Sequence, residues 1–287
     1  MDKVIFGDNQ FFGVNHMSLS KAVGESERFA KNEAIYRVLS DVNEIGIKTF
    51  MFTTHDRLIP IFDQMRKDTT FRDFKLVPCI PYAHKYADAV TELGIVGGVG
   101  KYLSGNIFLT GIKGAISLVS NEYIEMMKVL VDSELNFIKG LNLEAVFLQN
   151  VMTDLLLGLG MYEILSEYYT YIKKKYDVPV GVITMNFVKT TEVFTNVLHI
   201  DDIIICSPVN KIGFRMNPSQ KEVENVLKLH KTPTIAMSVF ASGAVPYREG
   251  IEYVSSLKCI DSILFGASTK EHIADTYNLI KSNLFNS

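Results

Sequence analysis

Two short clusters of side chains suited to proton transfer stand out in this sequence. His55 and Asp56 are adjacent, and Tyr82, His84 and Lys85 lie close together further along. Imidazole titrates near neutral pH, and a tyrosine or a lysine can act as a general acid or hold an anion. Neighbours in a chain usually point apart, so adjacency alone does not make His55 and Asp56 a dyad, and Lys85 equally suits a solvated charge on a helix. We predict that all five are catalytic.

Amide side chains and one further lysine follow other apolar runs of the sequence. Asn and Gln hydrogen-bond polar ligands through both an acceptor and a donor. The Lys211 amine can form a Schiff base when it is desolvated, although contact with a phosphate or a carboxylate is the simpler role. Any single loop position is more often solvated or capping than functional. The predicted substrate-binding residues are Asn9, Gln149, Asn150, Asn186, Asn210 and Lys211.

Small residues before the last helix predict an anion site. Gly266 leads into a segment in which Ser268 and Glu271 have the S-x-x-E spacing of a capping box. The free N–H groups at a helix N-terminus attract phosphate. An ordinary capped helix without a ligand is the alternative, and Glu271 already places a carboxylate there. The predicted cofactor- or phosphate-binding residues are Ser242, Gly243, Gly266, Ser268 and Lys270.

These residues can meet only if the fold gathers the ends of many strands. Eight short apolar runs are continuous rather than alternating, which favours parallel strands covered on both faces, and helical patterns lie between them. A strand followed by a helix, eight times, predicts a (β/α)8 TIM barrel, whose active site lies at the carboxyl ends of the strands. The predicted strands are Lys3–Phe6, Thr49–Phe52, Lys75–Ile80, Ala145–Leu148, Val180–Met185, Asp202–Cys206, Thr234–Val239 and Ser262–Phe265.

One connection in this pattern is unusually long. Between the third and fourth strands, residues 94–120 are rich in glycine yet apolar, whereas a disordered linker is more polar. We interpret this segment as an insertion packed at the barrel rim, with a buried loop that plugs the barrel end as the alternative. Residues 1–287 are otherwise predicted to form a single barrel domain.

Composition narrows the class of protein and its partners. Hydrophobic residues make up 47% and charged residues 21% of the chain. The net charge is −3 and no basic cluster stands out, which argues against nucleic acid as a partner. We find no signal peptide and no apolar run long enough to cross a membrane. Three scattered cysteines argue against a disulfide framework and for a reducing cytoplasm. We therefore expect a cytoplasmic protein with a small-molecule substrate.

Metal binding is not predicted. The sequence lacks H-x-H after its first strand, and it contains neither H-E-x-x-H nor C-x-x-C. Asp8, His55, Asp56 and His84 could converge on a metal, but their spacing is not that of a known metal motif.

The C-terminal third, from Gly181 to Leu279, resembles the aldo/keto reductases. Ser207–Asn210 resembles the strand-six segment of that family, Ala236–Ala244 its strand-seven turn, and Phe265–Ile273 its last strand-to-helix cofactor turn, while Gly181–Phe187 is a looser match to strand five. The resemblance implies the reductase barrel and an NAD(P) cofactor.

The catalytic residues of that family are not retained. The family places an Asp, a Tyr, a Lys and a His near the ends of strands two to four. Met51 stands at the position of the Asp, and Gln149 or Asn150 stands at the position of the His. Strand three has no Lys that matches the family's, and the loop that begins at His55 contains no matching Tyr. Ser268 stands where the family has the Arg that holds an adenosine 2′-phosphate.

Three functions remain open on the sequence. The first is an NAD(P)-linked oxidoreductase, diverged from the aldo/keto reductases, that acts on a small polar metabolite, anionic or sugar-like. The second is a non-redox lyase, isomerase or epimerase, in which His55 with His84 or Tyr82 moves protons. The third is a barrel that binds a ligand without catalysis. The first is the best single prediction.

Overall fold

Parallel strands close into a barrel. The structure, a computed structural model, describes residues 1–14, 19–81 and 119–284. Strand β1 pairs with both β2 and β8, and β2 pairs with β3, so the sheet has no free edge among these strands. This confirms the predicted (β/α)8 class. The strands are β1 Val4–Phe6, β2 Thr49–Thr53, β3 Lys75–Ile80, β4 in two segments Asn142–Leu143 and Val146–Leu148, β5 Val180–Ile183, β6 Ile204–Pro208, β7 Thr234–Met237 and β8 Ser262–Phe265.

Helices lie between the strands, and some have a clear start signal. Ser219 and Glu222 have the S-x-x-E spacing of a capping box, and Ser219 Oγ accepts a hydrogen bond from the Glu222 amide at 3.2 Å. Asn186 caps another helix by accepting from the Lys189 amide at 3.1 Å. Within the described residues the helices are α1 Leu19–Arg28, α2 Asn32–Ile45, α3 Ile59–Met65, α4 Val119–Asn136, α5 Asn150–Gly158, α6 Tyr162–Tyr176, α7 Phe187–Glu192, α8 Gln220–Leu229, α9 Tyr247–Ser256 and α10 Lys270–Leu284.

The core has two apolar layers. The larger layer fills the space between the strands and the surrounding helices. The smaller layer fills the barrel interior. Phe147 packs there against Gly181, and no larger residue fits at that position, because a Cβ on Gly181 would lie 2.2 Å from the Phe147 ring. This packing makes the lower barrel a solid core, so any ligand must bind at an end. The interior residues are Ile5, Met51, Val77, Cys79, Ala145, Phe147, Ile204, Cys206 and Ile235.

One helix has an irregular end, and one predicted helix cap was wrong. The helix after β5 begins at Phe187 and continues as a π-helical turn over Val193–Val197. The predicted Ser268 cap is replaced by Thr269, whose Oγ1 accepts from the His272 amide at 3.3 Å. Ser268 instead donates its hydroxyl hydrogen to Glu25, a partner that sequence spacing does not show.

Some predictions fall outside the described residues. These are the roles of Tyr82, His84 and Lys85, and residues 94–118 of the insertion. In the part of the chain that the structure describes, no helix is both long enough and apolar enough to cross a bilayer.

Candidate active site

A buried carboxyl group lies at the mouth of the barrel. Asp8 follows β1 by two residues, is 7% exposed, and accepts a hydrogen bond from the Thr53 amide, at the end of β2, at 2.7 Å. Burial raises the pKa of Asp8 to about 6, because the charged form loses hydration that the Thr53 amide only partly replaces. A carboxyl with this pKa can give or take a proton near neutral pH.

Two thiols lie below Asp8 in the barrel interior. Cys79 is beside Thr53 in the β2–β3 register, and Cys206 belongs to the same interior cluster. Burial, with a smaller effect from the negative charge of Asp8, raises the pKa of Cys79 well above its usual range, and burial raises that of Cys206. Both thiols therefore stay protonated and do not act as thiolate nucleophiles. They form the apolar floor beneath the Asp8 carboxyl group.

His55 lies at the same rim, two residues after β2. Its ring stacks on Phe12 with 4.4 Å between ring centroids and 8° between planes, and its Nδ1 accepts from the Arg57 amide at 3.1 Å. A neutral imidazole whose Nδ1 accepts carries its proton on Nε2. The stack and the hydrogen bond together fix the ring, so His55 can present one defined N–H at the rim.

Other predicted residues after β1, β2 and β4 also lie at this end of the barrel. Asp56 and Asn9 are exposed, which leaves both accessible to a ligand that spans the mouth. Gln149 and Asn150 begin α5 directly after β4 and are half-buried. The barrel thus brings His55, Asp56, Asn9, Gln149 and Asn150 to one end, although they are far apart in sequence.

A half-buried carboxylate connects α5 to the end of β5. Asp154 accepts from Thr184 Oγ1 at 2.5 Å and from the Met185 amide at 3.0 Å. Burial raises the pKa of Asp154, and these two hydrogen bonds oppose the rise. Because both hydrogen-bond donors belong to the β5 end, Asp154 fixes the position of that loop.

Three predicted substrate-binding residues are used for other contacts. Asn186 caps α7. Asn210 is fully buried and holds its own loop, with Nδ2 donating to the Phe214 carbonyl and Oδ1 accepting from the Phe214 amide, both at 2.8 Å. Lys211 is exposed and pairs with Glu249 at 2.7 Å, so a desolvated Schiff-base lysine is not found here.

The turn after β7 is conformationally unusual. Ser238, Ala241 and Ser242 have φ values of 53°, 43° and 56°, and Gly243 follows at 95°. Side chains in the left-handed region cost roughly 1 kcal/mol each, and such strain concentrates at ligand-binding loops. Ser242 and Gly243, the predicted phosphate contacts, belong to this strained turn.

The turn after β8 approaches the β1 loop closely. A Cβ on Gly266 would lie 2.1 Å from Gln10 Oε1, and Gln10 Nε2 donates to the Gly7 carbonyl at 2.7 Å. The predicted phosphate ligands beyond Gly266 have acidic partners. Ser268 Oγ donates to Glu25 at 2.7 Å, and Lys270 Nζ lies 2.7 Å from Glu44.

Sequence reasoning gave Asp8 no catalytic role and missed the buried pairs around the rim. One such pair is formed by Thr54, which is fully buried and donates to Glu134, a residue of α4 that is 1% exposed. The signal available for Asp8 was its position directly after the Gly that follows an apolar strand. Nothing in the sequence connects Thr54 to Glu134, which lie 80 residues apart. Among the described residues, no group of three His, Cys, Asp or Glu side chains is placed to hold a metal ion.

The fold is that of the aldo-keto reductases. A protein from Pseudomonas aeruginosa assigned to this family superposes with a TM-score of 0.60 at 14% identity, over 99% of this chain and 91% of that one. An aldo-keto reductase from a Medee basin deep-sea metagenome library gives 0.58 at 8% identity, over 99% and 89%. The holo form of an aldo-keto reductase from Bacillus halodurans gives 0.54 at 12%, over 97% and 86%. No protein-family model and no curated protein matches the sequence. At these identities the likeness establishes the fold alone.

Proposed function

We propose that the protein is an NAD(P)-linked oxidoreductase, acting in the cytoplasm on a small polar metabolite that is anionic or sugar-like. The observation that carries the proposal is the Asp8 carboxyl group, buried at the mouth of a reductase-type barrel and with a pKa raised to about 6. Three cysteines without a disulfide, Cys79, Cys206 and Cys259, support a reducing compartment.

Asp8 has the properties required of the proton donor. Reduction of a carbonyl adds a hydride to carbon and leaves a negative charge on oxygen, which a proton must neutralise. A nicotinamide cofactor, when bound, supplies the hydride. Protonated Asp8 gives its proton to the substrate oxygen and is then reprotonated from solvent, and in the oxidative direction its carboxylate takes the alcohol proton. The Thr53 amide fixes one carboxyl oxygen, so the transferable proton has a defined place.

His55 serves as the second polar contact of the substrate. The Arg57 amide on Nδ1 places the ring proton on Nε2, and the Phe12 stack holds the ring plane. A donor at this point can hydrogen-bond a carbonyl or hydroxyl oxygen of the substrate. Asn9 after β1 and Asn150 after β4 add amide groups suited to a sugar-like or anionic ligand.

The turns after β7 and β8 would hold the cofactor. Ser242 and Gly243 form the strained turn after β7, and Gly266 begins the turn that leads from β8 into α10. Main-chain amides at such a place suit the pyrophosphate of a dinucleotide.

A non-redox acid–base reaction is the second candidate. Asp8 and His55 lie at the ends of neighbouring strands, and two proton-transfer groups are sufficient for an isomerase, an epimerase or a lyase without any nicotinamide. Met51 packs in the barrel interior at the position where a reductase is expected to have an Asp, and this replacement favours the second candidate.

Cofactor binding and turnover test the proposal together. We expect NADH or NADPH to bind in isothermal titration, a method that suits a chain without tryptophan. Saturation at about 100 times the Kd would raise the free energy of unfolding by about 2.7 kcal/mol. Reduction of glyceraldehyde and 4-nitrobenzaldehyde, followed by loss of reduced-nicotinamide absorbance, measures turnover.

The variants Asp8→Asn and Asp201→Asn separate catalysis from folding. Loss of a proton donor typically costs about 100-fold or more in rate, so Asp8→Asn should lose turnover and retain cofactor affinity. Asp201 is an exposed carboxylate before β6, and Asp201→Asn removes the same charge without touching the mouth. Absence of binding by both dinucleotides would refute the redox proposal, and retained turnover in Asp8→Asn would refute the role of Asp8.

A further inference from the structure

Helix α1 is tied at two places to loops at the rim of the barrel mouth. Glu25 of α1 accepts a hydrogen bond at 2.7 Å from Ser268, which follows β8. Arg57, which follows β2, donates to the carbonyls of Phe29 and Ala30, directly after the helix. Strands β8, β1 and β2 are neighbours in the sheet. Helix α1 therefore reaches from the end of β8 past the end of β1 to the end of β2.

Helix α1 packs on the β1 loop at a glycine. Gly13 has a φ of 62°, and a Cβ on it would lie 2.1 Å from Ser26 Oγ and 2.7 Å from the Ala22 carbonyl oxygen. The helix thus lies directly on the backbone of the loop that follows Asp8. The three strand ends that α1 connects are those that carry Asp8, His55 and the turn after β8.

Little apolar burial holds α1 in this place. Of its side chains that the structure describes, none is buried, and Val23 is 49% exposed. Helix α2, by contrast, buries four apolar side chains, Ile35, Val38, Leu39 and Val42. Helix α1 has 10 residues, with Gly24 in its interior, and a helix of this length is marginal without tertiary packing. Elements with few buried apolar contacts open locally at a small cost in free energy.

The apolar anchor of this segment lies just beyond the helix. Phe29 is 1% exposed, and its ring meets the Phe11 ring edge-on, with 5.0 Å between centroids and 75° between planes. The Glu25–Ser268 hydrogen bond, in contrast, is a single polar contact near the rim. Phe29 is therefore placed to act as a hinge, and Glu25 with Ser268 as a latch.

We propose that α1, Leu19–Arg28, is a strap that opens about Phe29 while the barrel stays folded, and that its opening admits and releases ligand at the mouth. The opening follows from the weak packing of α1 and does not depend on which reaction occurs below it. The role in ligand exchange rests on the proposed function, since it concerns the same mouth.

Hydrogen exchange of the whole chain, followed by mass spectrometry, tests the opening. The amides of α1 should exchange at least ~100-fold faster than those of α6. Ser268→Ala removes the latch, a hydrogen bond to a carboxylate, and should speed exchange in α1 by about 10-fold. Ser256→Ala is the matched control, because Ser256 Oγ also donates one hydrogen bond, at 2.6 Å to the Tyr253 carbonyl, on α9. It should leave exchange in α1 unchanged.

A wedge beneath the strap tests the role in ligand exchange. Gly13→Ala pushes against Ala22 and Ser26 and should speed both exchange in α1 and release of NADH, each by several-fold. Release is measured by stopped-flow fluorescence of NADH on displacement by excess NAD⁺. Gly160→Ala imposes similar backbone strain, at a φ of 70°, but no described atom lies within 4 Å of its added Cβ. It should change neither rate.

The outcomes separate this proposal from the redox function. Exchange in α1 as slow as in α6 would overturn the opening. Equal responses of Ser268→Ala and Ser256→Ala would overturn the latch. Unchanged NADH release in Gly13→Ala, with faster exchange in α1, would overturn the role in ligand exchange and leave the redox function standing. Failure of NADH and NADPH to bind would overturn the redox function and that role, whereas fast exchange in α1 would still establish the opening.

Discussion

Replacing Asp8 with asparagine should make the protein more stable at neutral pH. Asparagine has nearly the same shape, and its carbonyl oxygen can still accept from the Thr53 amide. The folded-state pKa of Asp8 is raised, so its neutral form is favoured by folding. The stability this gives is complete below the unfolded pKa and is lost as pH rises through the folded pKa. Above pH 6 the wild type therefore carries a buried charge that the variant lacks.

The size of the effect follows from the pKa. A rise from 3.8 to about 6 corresponds to about 3 kcal/mol at 1.36 kcal/mol per tenfold. The gap between Asp8→Asn and wild type should grow from about 2 kcal/mol at pH 5 to about 3 kcal/mol at pH 8. At roughly 0.6 kcal/mol per kelvin for a chain of this length, 3 kcal/mol raises the Tm by ~5 °C.

Urea unfolding followed by circular dichroism at pH 5, 6, 7 and 8 measures this gap. Asp201→Asn, which removes the same charge at an exposed position, should follow the wild type within about 0.5 kcal/mol. The reasoning would be refuted if Asp8→Asn were less stable than wild type at pH 8, or if the difference in stability between them did not change with pH. Either result would show that burial does not disfavour the charged form of Asp8. A buried charge that lowers stability is expected at a residue that is retained for function.

Other perturbations test the barrel and its rim. Gly181→Ala should destabilise the fold by about 3 kcal/mol, because the new methyl group overlaps the Phe147 ring, and an unchanged urea midpoint would contradict the interior packing. Thr54→Val should cost about 1–3 kcal/mol by removing a hydrogen bond from buried Glu134, whereas Thr54→Ser should not. Asn210→Ala should lower the Tm by breaking its loop, and a normal Tm with weakened substrate binding would restore its predicted role as a substrate ligand.

The order of strands and helices was readable from the chain because each strand is short, apolar and continuous. Lys75–Ile80 and Ser262–Phe265 were predicted with their observed bounds, since a strand buried on both faces admits only apolar or small residues. Residues at helix starts were less reliable. Ser219 and Ser268 both have the capping-box spacing. Ser219 caps its helix, but Ser268 does not, because Glu25 on a distant helix takes its hydroxyl hydrogen.

The roles of the polar residues at the strand ends were beyond the reach of the sequence. Asn210 and Lys211 were indistinguishable from ligand-binding residues until their partners Phe214 and Glu249 were seen. Asp8 resembled any polar residue after a strand, and its altered pKa depends on its burial in the folded protein, where its hydrogen-bond donor Thr53 is 45 residues away in sequence.

The sequence alone determined that a closed parallel barrel would form and which of its ends would be polar, because apolar periodicity is a local property of the chain. Which of those polar groups is buried, charged or already paired was decided only by the tertiary structure. The reason is physical: desolvation and hydrogen bonding depend on neighbours brought together by closure of the barrel, and the strand order does not encode their distances.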